Sequence, residues 1–134
     1  MNEEWKSLNI ADVPKGEYEL EKVTYDTNGT IIELGNDDIK LIIDFHYAVI
    51  LTRYSDESQR WKTTDRLLYK YGKDFFKNSP LFIIENSDFA DWLEKESFGV
   101  NSKKDVTHYC IYTPDDVVDI LSLKDPEIRI EKVF

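Results

Sequence analysis

The strongest constraint on the fold is an alternation of apolar and other residues that begins at Ile39. Every odd position in its first part is apolar: Ile39, Leu41, Ile43, Phe45, Tyr47, Val49 and Leu51. A period of two is typical of a β-strand that buries one face. The pattern runs on to Tyr54, which is long for one strand, so we expect a bend near residues 44–46 that divides it in two. Arg53 then lies at the end of the inward face.

Other short segments predict further strands. Residues 18–25 alternate, and Asn28-Gly29 then predicts a tight hairpin into the segment TIIEL. A turn at residues 35–38 leads into the long alternating segment, so these strands form an antiparallel meander. Three more strands are predicted over residues 80–85, 106–112 and 127–133.

Side chains that cap helices mark three predicted helix starts. Asp56 and Gln59 have the spacing of a capping box, and Gly72 is expected to end the helix that follows. Ser87 caps a second predicted helix, DFADWLEKES. Thr113 as cap and Pro114 at the first helical position predict a third helix over TPDDVVDIL.

These elements predict one α+β domain over residues 1–134. We expect an antiparallel sheet of about six strands, with about three helices packed mainly on one side. Residues 1–16 are expected to pack on the domain as an N-terminal arm, with Trp5, Leu8 and Ile10 as anchors.

Charge and cysteine content exclude several classes of function. The chain has 27 acidic and 17 basic residues, a net charge of -10, which disfavours binding to nucleic acids and anionic membranes and favours a basic partner. Cys110 is the single cysteine, so no internal disulfide forms. Without a secretory signal or an apolar run of membrane-spanning length, the predicted location is cytoplasmic.

A charged cluster follows the alternating segment and contains Arg53, Asp56, Glu57 and Arg60. Glu57 falls on the inward stripe of the helix, where a carboxylate needs a cationic partner. We expect Arg53 or Arg60 to provide it, so that the cluster braces a strand against a helix. The alternative is a catalytic acid or a ligand site that also includes His108.

Other chemistry has weaker support. His108 and Cys110 lie two apart on a predicted strand, but two ligands do not complete a zinc site. Ser87 lacks the Gly-x-Ser-x-Gly elbow of a hydrolase nucleophile and is explained by capping. No glycine-rich phosphate loop is present. We therefore predict no catalytic residue, no metal and no cofactor.

Three segments, VILTRYSDESQR, FIIENSDFADWLEKESFGV and THYCIYTPDDVVDIL, together resemble a family of small, largely uncharacterised proteins of Gram-positive bacteria. Some of those proteins are encoded beside secreted polymorphic toxins and are interpreted as immunity proteins. The resemblance extends from about Ile39 to Pro126. Its motif residues in this chain are Arg53, Asp56, Glu57, Arg60, Glu85, Asn86, Ser87, His108 and Tyr109.

The resemblance implies a bacterial, non-enzymatic binding protein that neutralises a partner protein through an acidic surface, and the expected partner is a basic toxin domain. The candidate partner-binding residues lie on two predicted helices and are Asp88, Asp91, Glu94, Asp115, Asp116 and Asp119. The alternative is a small-ligand-binding or enzymatic domain that uses the polar cluster of Arg53, Glu57, Arg60 and His108. The oligomeric state stays open.

Overall fold

A computed structural model of the chain describes residues 2–8 and 13–133, and within these ranges it has nine strands and two α-helices. The strands are β1 (Glu4–Ser7), β2 (Glu19–Asp26), β3 (Gly29–Gly35), β4 (Ile39–His46), β5 (Val49–Asp56), β6 (Leu81–Glu85), β7 (Thr107–Tyr112), β8 (Asp116–Ser122) and β9 (Glu127–Lys132). The helices are α1 (Trp61–Tyr71) and α2 (Asp88–Glu96). Short 3₁₀ helices cover Glu57–Arg60 and Phe75–Lys77.

The strands form two antiparallel sheets, ordered β1-β6-β7-β8-β5 and β2-β3-β4-β9. The predicted α+β class is confirmed. The predicted single sheet of about six strands is wrong, because the described strands divide between two sheets. The predicted number of about three helices is also too high.

The division into two sheets begins at the predicted bend in the long alternating segment. β4 ends at His46, which has a positive φ of 55°, and the Ala48 N–H donates to the Phe45 carbonyl at 3.2 Å. β5 then starts at Val49 and joins the other sheet. The bend therefore passes the chain from one layer to the next.

The main core lies between the two sheets. The predicted burial of the odd residues of β4, from Ile39 to Phe45, is confirmed, although Ile42 and Asp44 on its other face are also buried. They pack with residues of the five-stranded sheet, including Tyr109 and Ile111 of β7 and Val118 and Ile120 of β8. Burial of these apolar side chains holds the two sheets together.

The helices cover the opposite face of the five-stranded sheet. Leu67 of α1 packs in a cluster with Phe82, Cys110 and Val117, and residues of α2 pack with Leu121. Both layers bury strand β8, so all residues from Val117 to Ser122 are 0% exposed. The molecule thus has a helical layer, a central sheet and an outer sheet.

The predicted third helix is strand β8. Thr113 closes a turn between β7 and β8, where its hydroxyl accepts from the Asp116 N–H at 3.0 Å and its own N–H donates to the Asp116 carbonyl at 2.9 Å. The same pattern of Thr, Pro and acids that suits a helix start therefore makes a hairpin turn here. A continuous apolar run suits a helix or a strand buried on both faces, and the sheet position of this segment selects the strand.

The N-terminal segment contributes strand β1, which pairs with β6 at the edge of the five-stranded sheet. Residues 1 and 9–12 of the predicted arm, including Ile10, lie outside the described residues. Within the described part of the chain, no helix has the length and apolar character needed to cross a membrane.

Candidate functional site

A buried carboxylate, Asp119 of β8, is the centre of a polar network on the face of the sheet that the helices cover. Its Oδ2 accepts from Arg53 Nε at 3.0 Å, Arg53 Nη2 at 2.9 Å and Arg60 Nη1 at 2.7 Å. Its Oδ1 lies 2.7 Å from His108 Nε2. Asp119 is 0% exposed, and both of its oxygens are engaged. We call Asp119, Arg53, Arg60, His108 and Ser87 the Asp119 network.

The sheet and the capping box place the two arginines. Arg53 is the direct partner of Asp119 in the β5–β8 register. The predicted capping box is confirmed: the Asp56 carboxylate accepts from Ser58 N–H and Gln59 accepts from Asp56 N–H. It starts the 3₁₀ helix that brings Arg60 over the sheet toward Asp119.

The arginines and His108 keep Asp119 ionised despite its burial. Burial by itself would raise the pKa of this carboxyl, since a low-dielectric environment disfavours charge. The hydrogen bond from His108 and the charges of Arg60 and Arg53 more than offset burial. The pKa of Asp119 therefore lies well below its usual value, and the ion pair persists at neutral pH.

Ser87 extends the network to the start of α2. Its Oγ lies 2.6 Å from His108 Nδ1 and accepts from the Ala90 N–H at 3.0 Å. An ionised carboxylate only accepts, so His108 Nε2 carries the proton that faces Asp119. The predicted cap by Ser87 is confirmed. The network thus joins strands β5, β7 and β8 to the 3₁₀ helix and to the start of α2 through one chain of hydrogen bonds.

The set of Ser87, His108 and Asp119 has the composition of a hydrolase triad, but its geometry favours structural bracing. Ser87 is 8% exposed, and its hydroxyl oxygen already caps α2. Asp119 also binds two arginines, which hold its charge away from the imidazole. A nucleophile needs an accessible hydroxyl next to its base, and these contacts work against that role.

Glu57 does not pair with either arginine, so the predicted ion pair is wrong. Its Oε1 accepts from Trp61 Nε1 at 2.8 Å on the outside of the first helical turn. Asp119 takes the predicted role instead, although it was assigned to an exposed helix surface. The signal in the sequence was the spacing of Val117, Asp119 and Leu121, which places Asp119 on an inward face if the segment is a strand.

We expect Glu57→Gln to lower the free energy of unfolding by less than about 1 kcal/mol, because it alters one exposed hydrogen bond. Urea unfolding followed by circular dichroism measures this change. A loss above roughly 2 kcal/mol would mean that Glu57 supports a buried cation.

The other predicted site residues divide between the network and the surface. Glu85 forms an ion pair with Lys6 at 2.9 Å, and the Asn86 side chain donates to the Asn2 carbonyl at 3.3 Å. Neither of them contacts the Asp119 network in the part of the chain that the structure describes. On α2, Asp91 pairs with Lys95 at 3.0 Å.

The described residues give little support for a metal site. No group of three or more His, Cys, Asp or Glu side chains among them could hold an ion. Cys110 is fully buried, and burial together with the charge of Asp119 raises the pKa of its thiol well above the usual value. The thiol therefore stays protonated, whereas metals bind the thiolate.

A cleft of about 740 Å³ opens above the network. The sheet forms its floor, and α1 and α2 contribute to its walls. Three arginines and three large aromatic residues are among its lining residues: Arg53, Arg60, Arg66, Trp5, Phe89 and Trp92. We call this the arginine cleft. Sequence reasoning missed Arg66 and the aromatic residues, since no fixed spacing connects them to Arg53 and Arg60.

A second surface lies at the turn between β7 and β8 and at the start of α1. It carries two exposed aromatic side chains and four carboxylates: Tyr54, Trp61, Asp56, Glu57, Asp115 and Asp116. The Tyr54 hydroxyl donates to Asp116, and the Glu57 N–H donates to the Asp115 carbonyl at 2.9 Å. We call this the acidic aromatic patch.

The arginine cleft and the acidic aromatic patch are the two features from which a function can be inferred. They differ in charge and shape, since one is concave and contains arginines and the other is exposed and acidic. No protein-family model, curated protein or solved structure matches this chain.

Proposed function

We propose that this protein is a non-enzymatic binding protein of the immunity type, which neutralises a basic partner protein in the cytoplasm. The acidic aromatic patch is the observation that carries the proposal. It combines exposed aromatic side chains with negative charge, the two properties that a binding site for a basic protein needs.

The aromatic side chains of the patch are suited to anchor a partner. Tyr54 is 58% exposed and Trp61 is 60% exposed, and such residues often carry much of the binding energy of an interface. Each is held by a hydrogen bond, Tyr54 to Asp116 and Trp61 to Glu57. Ordering them before binding lowers the entropy lost in the complex.

The charge of the patch favours a basic partner. Four carboxylates lie on the patch, and Arg60, which follows Asp56 and Glu57 in the chain, turns inward to Asp119. The whole chain has a net charge of -10. Negative charge of this kind speeds the encounter with a basic protein and disfavours acidic competitors.

The acidic residues of α2 are weaker candidates for contact with the partner than the acids of the patch. Asp91 lies near both Lys95 and Lys103, and Glu94 accepts from the Lys103 N–H at 2.9 Å. Asp88 lies at the arginine cleft. Lys95 and Lys103 partly neutralise the charge on this side of α2, whereas neither Asp115 nor Asp116 pairs with a basic side chain in the described part of the chain, so we assign the main contact to Asp115 and Asp116. Asp119 is buried and has no part in it.

The test is binding to a toxin domain encoded beside the gene for this protein, measured by calorimetry and association kinetics. Trp61→Ala is expected to weaken affinity by roughly 30-fold, the effect of losing an interface anchor. Asp115→Lys is expected to slow association by roughly tenfold, because it reverses a charge in the patch.

Asp105→Lys is the matched control, because it reverses an exposed charge that precedes β7, whereas the patch lies beyond the other end of that strand. The affinity of Asp105→Lys for the toxin domain should stay within about threefold of that of the wild type. If the toxin domain does not bind, or if all three variants bind it equally, the proposal is wrong.

A further inference from the structure

We propose that the arginine cleft binds a small organic anion in which a carboxylate or phosphate group is attached to a flat apolar body. This site is separate from the acidic aromatic patch and does not depend on the proposed function. Its volume of about 740 Å³ lies in the range of pockets that hold small molecules.

The floor of the cleft has an excess of positive charge. Arg53 and Arg60 carry two positive charges, and Asp119 provides one negative charge between them. Asp119 is fully buried and already accepts from both arginines and from His108. One positive charge at the floor is therefore left to attract an anion.

Several donors of residues that line the cleft have no acceptor within residues 2–8 and 13–133. The side chain of Arg60 is 15% exposed, yet its hydrogen bonds to the described residues use Nη1 alone, so Nε and Nη2 are open. Trp5 is 5% exposed, and its buried Nε1 also has no partner in this part of the chain. A bound anion would supply acceptors for the open Nε and Nη2 of Arg60 through charge-assisted hydrogen bonds.

Arg66 is available to close over an anion from the side of α1. Its Nη2 lies 3.7 Å from Glu3 Oε1, too far for a hydrogen bond, and its side chain is 56% exposed. Glu3 is instead held by its other oxygen, which accepts from the Asp88 N–H at 2.8 Å. Arg66 can therefore turn toward a ligand without breaking a short contact.

The aromatic wall favours a flat ligand body. The Arg53 guanidinium carbon lies 4.1 Å from the centre of the Phe89 ring, and Phe89 and Trp92 are stacked with their planes 17° apart. Trp92 is half exposed at the cleft, so a ring can extend this stack. Anion and ring would then lie side by side.

The acids at the cleft limit the kind of anion. Glu3 and Asp88 are lining residues, and the chain as a whole is acidic. A ligand with many negative charges, such as a nucleic acid, would be repelled by them. A compact anion can reach the arginines, which is why we assign a small molecule.

The test uses phenyl phosphate and phenylacetate as probes. Inorganic phosphate, which has the anionic group without a ring, and phenol, which has the ring without an anionic group, are the controls. At least one probe is expected to bind with a dissociation constant near or below about 1 mM, given its small number of atoms. The two probes distinguish phosphate from carboxylate recognition. Inorganic phosphate and phenol should bind at least about tenfold more weakly.

Arg66→Gln and Arg129→Gln form a matched pair. Both arginines are about half exposed, and both make only a distant contact with a carboxylate, Arg129 with Asp44 at 3.9 Å. Arg66→Gln should weaken the affinity for the probe about tenfold, because it removes a charge-assisted contact. Arg129→Gln should change that affinity by less than about twofold.

The indole N–H signals of the three tryptophans give an independent readout by nuclear magnetic resonance. Trp5 and Trp92 line the cleft, whereas Trp61 lies in the acidic aromatic patch, so the first two should shift on binding and the third should not. The proposal is overturned if neither probe produces a saturable shift, if Trp61 shifts with the others, or if Arg66→Gln binds like the wild type.

Discussion

Asp119→Asn is expected to lower the free energy of unfolding by roughly 3–5 kcal/mol, the cost of removing one partner from a buried ion pair. The substitution leaves Arg53 and Arg60 without the carboxylate that both of them bind. Arg60 is affected most, because its side chain is mostly buried. Urea unfolding followed by circular dichroism at neutral pH measures the loss.

Asp116→Asn is the control on the same strand. Asp116 lies closer to solvent and accepts from the exposed Tyr54 hydroxyl, so its replacement should cost less than about 1 kcal/mol. If Asp119→Asn costs no more than Asp116→Asn, the buried carboxylate does not hold the two arginines in place.

The effect of Asp119→Asn should also depend on pH. The native pKa of Asp119 is depressed, so its contribution to stability is present above the unfolded value of about 4 and is lost as pH falls through the native value. Below about pH 4, the stability difference between wild type and variant should shrink by about 1.4 kcal/mol per pH unit. Unfolding at neutral pH and at about pH 3 tests this sign. A constant difference would contradict the depressed pKa.

Gly29→Ala is expected to lower the free energy of unfolding by at least about 2 kcal/mol more than Gly72→Ala, which causes backbone strain without a clash. Gly29 has a φ of 100°, and a Cβ there would lie 1.9 Å from the His46 carbonyl oxygen. Both atoms nearest to that Cβ belong to backbone, which cannot turn aside like a flexible side chain. Thermal and urea unfolding measure the loss.

Gly72→Ala separates strain from the clash. Gly72 has a φ of 101°, and a Cβ there meets no atom within 4 Å. We expect Gly72→Ala to lower the free energy of unfolding by roughly 1–2 kcal/mol, because it strains the backbone but causes no clash. Equal losses for the two variants would mean that β3 does not approach the turn between β4 and β5 as closely as the structure shows.

Short-range patterns account for the parts of the fold that the sequence predicts. The burial of the odd residues from Ile39 to Phe45, the bend near residues 44–46 and the cap at Ser87 each depend on residues a few positions apart, and all three are confirmed. The alternation fails beyond the bend, because Tyr47 is 74% exposed. The hairpin at Asn28-Gly29 also forms, although only Gly29 of the pair has a positive φ.

The candidate sites are less accessible to sequence reasoning, because their residues come from distant parts of the chain. Trp5, Arg66 and Trp92 reach one cleft from β1, α1 and α2. The partner of Arg53 is 66 residues away, whereas Glu57 is a nearer carboxylate in the chain. Sequence distance favoured the wrong acid, and strand pairing selected the right one.

By itself, the sequence determined the acidic charge, the α+β class and most local elements, since periodicity, turns and caps act over a few residues. Only the tertiary structure decided that the strands form two sheets and that the apolar run around Asp119 is a strand. The physical reason is that a run buried on all sides has no polar face to reveal its period, so the layers that pack against it select its conformation.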